Sequence, residues 1–166
     1  MASSYSSSVS LALNTTETFD ATVMPFVNSG ANAVVHTGID LTQTLNATSS
    51  PAISKMAAGQ KAMIAGVATI DLTAVTHNGA AVDMTGLKMA VWKFRNPSTN
   101  ANNITITKGA ANGYTIGGGT FTVTLKPGQQ WAHYFFTGGD SVAAGVKTID
   151  ISGTGTQALD YEFIAG

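Results

Sequence analysis

The sequence predicts an all-β chain: a single antiparallel β-sandwich (residues 9–166) behind a short flexible N-terminal arm (residues 1–8). Two observations lead to this. Apolar residues recur with a period of two along most of the chain, as expected for strands with one buried and one wet face. Turn-forming residues interrupt these runs every ~8–15 residues, the spacing of a sandwich or barrel.

The elements follow in order. Val9, Leu11 and Leu13 alternate with Ser10 and Ala12, and the phase continues to Phe19. Ile39, Leu41 and Leu45 alternate with Asp40, Thr42 and Thr44. The stretch from Ser50 to Met63 is the one place that suggests a helix, with Ser50 as a cap and Pro51 at the first position. Gly59 argues against it. Met56-Ala57-Ala58-Gly59-Gln60 also echoes Leu125-Lys126-Pro127-Gly128-Gln129, so both are read as turns, with at most a short helical turn over 51–54. Asn78-Gly79 and Asn112-Gly113 are tight turns able to hold positive φ. Leu87 to Arg95 is a strand, Asn96-Pro97-Ser98-Thr99-Asn100 a loop, and Ile104 to Thr107 a strand. Phe121, Val123 and Leu125 lead through Pro127-Gly128 into an aromatic strand near Gln129, which reads as a hairpin. Gly138-Gly139-Asp140 and Gly153-Thr154-Gly155 close the next two strands, and Leu159, Tyr161 and Phe163 share a face of the last one.

Composition excludes several functions. The 166 residues carry a formal net charge of −1, and only 10% are charged, against about 25% in an average soluble domain. No basic patch offers itself to nucleic acid. No apolar run is long enough to span a membrane. There is no cysteine, so disulfides and thiolate metal sites are excluded. No Lys or Arg precedes Lys55, and the positive start and long apolar stretch of a secretory signal are missing. The expectation for a complete chain is synthesis and release in a cytoplasm. The N-glycosylation patterns at Asn14, Asn46 and Asn103 are then chance matches.

No catalytic constellation stands out. His36, His77 and His133 lack ligand spacing, and neither His36 with Asp40 nor His77 with Asp83 is forced into contact. Gly117-Gly118-Gly119 precedes a strand, whereas a phosphate cradle opens a helix. Ile39-Asp40-Leu41, Ile70-Asp71-Leu72 and Ile149-Asp150-Ile151 each turn a carboxylate outward. A cation site among Asp40, Asp71 and Asp150 needs the three strands to be neighbours. No cofactor or metal is expected.

The aromatics are the more informative residues. Trp131, His133 and Phe135 share one face of a strand, and Tyr134 and Phe136 the other. Trp92 and Phe94 lie opposite Met89 and Val91. A strand apolar on both faces needs a second cover, from loops of its own chain or from another subunit. Trp92, Trp131, Tyr134 and Phe136, with Ser3, Ser4 and Tyr5 of the arm, are therefore the candidate interface residues. A sugar-stacking platform on Trp92, Trp131 or Tyr114 is the alternative. The low charge favours permanent assembly, because few ions have to be desolvated.

From Gly86 to Gly166 the chain resembles the capsid decoration, or cement, proteins of tailed bacteriophages. The residues that carry the likeness are Phe94-Arg95-Asn96-Pro97-Ser98, Ile104-Thr105-Ile106-Thr107-Lys108-Gly109, Thr120 through Gln129 and the closing Phe163-Ile164-Ala165-Gly166. The resemblance implies a β-sandwich or jelly-roll-like domain and a non-enzymatic virion protein on the capsid surface. Its partners would be the major capsid protein and itself, as a homo-oligomer with a trimer favoured, with no nucleic acid or membrane. A carbohydrate- or receptor-binding module, or another phage part such as a head fibre or tail subunit, is the alternative.

Overall fold

The computed structural model describes residues 7–11, 14–18, 33–37, 41–135 and 137–166, with side chains described from Thr44 onward. Ser3, Ser4, Tyr5, Asp40 and Phe136 lie outside the described residues. Residues 7–44 form one compact unit and residues 45–166 another. Among the described residues there is no helix.

In the first unit, β1 (Ser7–Leu11) makes a two-stranded sheet with β4 (Leu41–Leu45). β2 (Asn14–Thr18) pairs antiparallel with β3 (Ala33–Thr37), Thr16 opposite Val35.

The second unit is an antiparallel sandwich of two four-stranded sheets. Its strands are β5 (Lys55–Ala62), β6 (Val67–Asp71), β9 (Met89–Arg95), β10 (Ile104–Lys108), β11 (Thr122–Leu125), β12 (Gln130–Tyr134), β13 (Thr148–Ser152) and β14 (Ala158–Ala165). A small hairpin of β7 (Val75–His77) and β8 (Ala80–Val82) is inserted after β6. One sheet has the order β12-β9-β14-β5 and the other β11-β10-β13-β6. Numbered first to eighth along the chain, without the hairpin, the strands lie 6-3-8-1 and 5-4-7-2. That interleaving is the double Greek key of a jelly roll.

Period-two alternation places the core. Leu159, Tyr161, Phe163 and Ala165 of β14 point inward, while Asp160 and Glu162 point out. Across the sandwich they meet Ile104 and Ile106 of β10, Ile149 and Ile151 of β13 and Ile70 of β6. Each such side chain contributes about 1.5–3 kcal/mol by leaving water. Trp92 is the hub. Phe94, Tyr114, Phe121, Phe135 and Phe163 surround it at centroid distances of 5.0–6.1 Å.

Three expectations are corrected. Residues 55–62 are a continuous strand with no turn at Gly59. Gly59 lies opposite Tyr161 on β14, and a Cβ there would sit 2.7 Å from the Tyr161 hydroxyl. The glycine makes room for a ring that crosses the strand, and residues 51–54 form no helical turn. Pro127-Gly128 is a turn, closed by Gln129 N–H to Lys126 O (2.9 Å). It does not form a hairpin, because β11 and β12 belong to opposite sheets. In Asn112-Gly113 only Asn112 has positive φ (53°). Gly113 is small because Gly109 O and the Lys108 side chain occupy the space of a Cβ.

Candidate interaction surfaces

Trp92 and Tyr114 are fully buried, so neither meets a partner or a sugar at a surface. Trp92 Nε1 has no hydrogen-bond partner, a sign of how completely rings enclose it. The Tyr114 hydroxyl donates to the Asp140 carbonyl, and burial pushes its ionisation well above the ordinary phenol range. Met89 does not lie on the face opposite Trp92, contrary to expectation: a bulge in the ladder with β14 pairs it with Ala165 and places it in the same core cluster as Trp92. The second apolar face of β9 is covered at Val91, which is 8% exposed, and at its neighbour across the ladder, Ile164, which is 2% exposed. Lys93 and Arg95 continue that face as exposed residues.

Trp131 and Tyr134 remain half-buried on β12. The reason is topology. β9 runs inside its sheet, whereas β12 is at the edge. Trp131 stacks on Phe94 (6.0 Å, 10°) and on His133 (5.5 Å, 9°), and His133 meets Phe135 edge-on (4.5 Å, 80°). Burial holds the His133 imidazole below its ordinary pKa, so it is neutral at pH 7. The result is a fixed, uncharged aromatic ridge along an edge strand.

The outer face of the same sheet carries a polar lattice. Asp160 Oδ2 accepts from Arg95 Nε (2.8 Å) and Nη2 (2.6 Å), and its Oδ1 accepts from Gln60 Nε2 (2.9 Å). Lys93 lies 3.9 Å from Glu162. These charges neutralise one another in an open depression bordered also by Ala58 and Gln130.

The remaining candidates are occupied by the protein's own groups. Asp71 binds Lys147 Nζ (2.7 Å) and the Thr73 amide and hydroxyl. Asp150 binds the Thr69 hydroxyl and the Ala110 amide. Among the described residues no three His, Cys, Asp or Glu converge as metal ligands. His77 Nδ1 accepts from the Ala58 amide (3.1 Å), and Asp83 is held by Thr85, so the two are not partners. At the glycine run, Asp140 accepts from the Thr115 hydroxyl and the Gly118 amide. A carboxylate of the chain already sits where an anion would bind.

One surface escaped the sequence reading. Ile64 and Val67 are 80% and 61% exposed, the large exposed hydrophobics among the described residues. They flank a two-residue turn, Ala65-Gly66, at φ 50° and 83° and exchange hydrogen bonds of 3.0 and 3.1 Å. Loops 96–103 and 153–157 lie at the same end of the sandwich, tied to it by Met63 N–H to Gln157 O, Gly153 N–H to Gly66 O and Asn102 N–H to Gln157 Oε1. Residues 63–67, 96–103 and 153–157 contain no ionisable side chain. The fourth loop of this end, 126–129, is bonded to Asn96 and adds the exposed Lys126, so an apolar tip is presented on a rim with one positive charge. The signal for it was an apolar residue on each side of Ala-Gly.

No protein-family model, no curated protein and no solved structure matches this chain.

Proposed function

We propose that the protein is a non-enzymatic virion subunit that binds the outside of an assembled bacteriophage capsid and stabilises it, contacting the major capsid protein and copies of itself. The observation that carries the reading is the sparsely charged loop end with its exposed Ile64 and Val67. Exposed apolar groups rimmed by uncharged polar residues are characteristic of surfaces that bind other proteins. Burying them desolvates no ion. A shell presents many equivalent sites, so a contact of modest strength suffices once copies also hold one another. Jelly rolls serve in capsids and in lectins alike. The fold is thus compatible with the reading and does not select it.

The test is sedimentation of the purified full chain with assembled capsids, prepared without it, from the phage whose genome encodes it. The expected result is saturable co-sedimentation, weakened about tenfold by Ile64→Thr, the scale of one exposed aliphatic group being buried. Thermal stability stays unchanged, because Ile64 is exposed. Absence of co-sedimentation overturns the reading. The half-exposed Trp131 ring favours a second one, glycan binding. Glycan-array binding abolished by Trp131→Ala would put that reading first.

A further inference from the structure

We infer that the outer edge of β12, with which no described strand pairs, is a self-recognition edge, at which two copies of the chain pair antiparallel about Ala132 and join their β12-β9-β14-β5 sheets into one. The inference deepens the self-association in the proposed function and rests on that part of it alone.

The two sides of the sandwich are finished differently. On one side β5 ends its sheet, and the β7–β8 hairpin lies against it. The Ala58 amide is capped by His77 Nδ1 (3.1 Å), and the Tyr161 hydroxyl reaches Thr76 O (2.6 Å). On the other side β12 ends that sheet, and no described strand pairs with its outer edge. Edges left open in soluble proteins are protected by lysine, proline, a bulge or a cover. Residues 130–134 read Gln-Trp-Ala-His-Tyr, without any of the first two, and their register against β9 is unbroken.

The register also shows which backbone groups are offered. Asn96 N–H bonds Gln129 O, and Phe135 N–H bonds Ala90 O. Antiparallel bonding alternates along a strand. The odd-numbered residues therefore bond β9, while Gln130 and Ala132 turn their N–H and C=O groups to the open edge. Ala132 is exposed and small, so its own side chain does not block a second strand.

The occupant follows from self-complementarity. Ala132 is the middle of the five-residue strand. An antiparallel pair centred there lets the two Ala132 residues exchange both backbone hydrogen bonds. It sets Trp131 opposite His133 of the second copy, in the non-hydrogen-bonded position where side chains approach most closely. The Trp131–His133 stack would continue across the two-fold axis. No like charges meet, because β12 carries none. A two-fold pairing of identical edges is closed and does not propagate into fibres.

Sedimentation velocity on the full chain tests this, run over a wide concentration range with wild type and Ala132→Pro. Proline is tolerated on an edge strand where the N–H faces outward, so the variant keeps its internal ladder. Circular dichroism checks that it does. The expected result is a wild-type dimer and a variant whose half-association concentration rises about a hundredfold, the scale of two lost hydrogen bonds. A wild type that stays monomeric, a trimer without a dimer, or a variant that dimerises as wild type does overturns the inference. Should the variant not fold, hydrogen exchange on wild type decides. The Ala132 amide is expected to gain protection as concentration rises, and an amide unprotected at every concentration overturns the inference. Capsid co-sedimentation of the monomeric variant separates failure here from failure of the capsid reading.

Discussion

Replacing Asn96 by alanine should unfold the Ile64–Val67 end of the sandwich first and cost far more than a loop substitution normally does. Asn96 is fully buried at the close of β9. Its Nδ2 donates to Leu125 O (2.9 Å) and Asn102 O (3.1 Å), and its Oδ1 accepts from Asn100 Nδ2 (2.7 Å). Asn100 in turn donates to Ala158 O (2.7 Å). One side chain thereby ties together the 96–103 loop, the end of β11 and the start of β14. Each lost bond is worth about 1 kcal/mol net, and the Leu125 carbonyl left without this donor adds roughly 1 more, for about 4 kcal/mol in all. In a chain of this length that lowers Tm by roughly 8–16 °C. Urea unfolding monitored by circular dichroism measures it, with an unchanged m-value showing that the native and unfolded states are otherwise alike. Asn96→Asp should cost more, because an oxygen then faces two carbonyl oxygens. Asn96→Ala and Asn100→Ala should be non-additive, since they share a bond. A loss below about 1 kcal/mol for Asn96→Ala, the range of ordinary surface sites, would refute the idea that this network organises the end of the sandwich.

Three further outcomes follow from single residues. Ala65 holds φ 50°, a conformation that suits glycine, so Ala65→Gly should stabilise by about 0.5–1 kcal/mol, read as a small rise in Tm. Burial lowers the His133 pKa from 6.5, so the unfolded chain binds the proton more readily than the folded one. Stability should fall as pH drops below about 6.5, and His133→Phe should remove that step from a plot of Tm against pH. At Asp71, burial opposes ionisation, but hydrogen bonds from Lys147 and Thr73 and the Lys147 charge prevail and hold the carboxyl below its ordinary value. Its contribution is present above about pH 4 and disappears as pH falls through the folded-state value, so Asp71→Asn should flatten the acid limb of the same plot.

The inward residues were legible because a strand half-buried in a sandwich imposes its own period: Ile104 and Ile106, or Leu159, Tyr161 and Phe163, could be assigned without coordinates. Topology was less accessible. Pro127 marks a turn by its fixed φ and missing N–H, yet nothing local says whether the next strand joins the same sheet or the opposite one. Gly59 resembled a turn residue because its true cause, the Tyr161 ring, lies 102 positions further along the chain. Trp92 and Trp131 looked equivalent, each on an aromatic strand. Only the order β12-β9-β14 makes one a core hub and the other an edge residue. Ile64 and Val67 passed unnoticed because alternation assigns a side chain to a face and is silent about residues on a projecting turn.

The central claim is that this neutral jelly roll is built to lie permanently against other subunits on a capsid. Electron cryomicroscopy of assembled capsids, with and without the added chain, tests it most directly. The account predicts additional density at regular positions on the outer surface, with the Ile64–Val67 end against the shell. Capsids identical with and without the chain, at concentrations where it is folded, would contradict it.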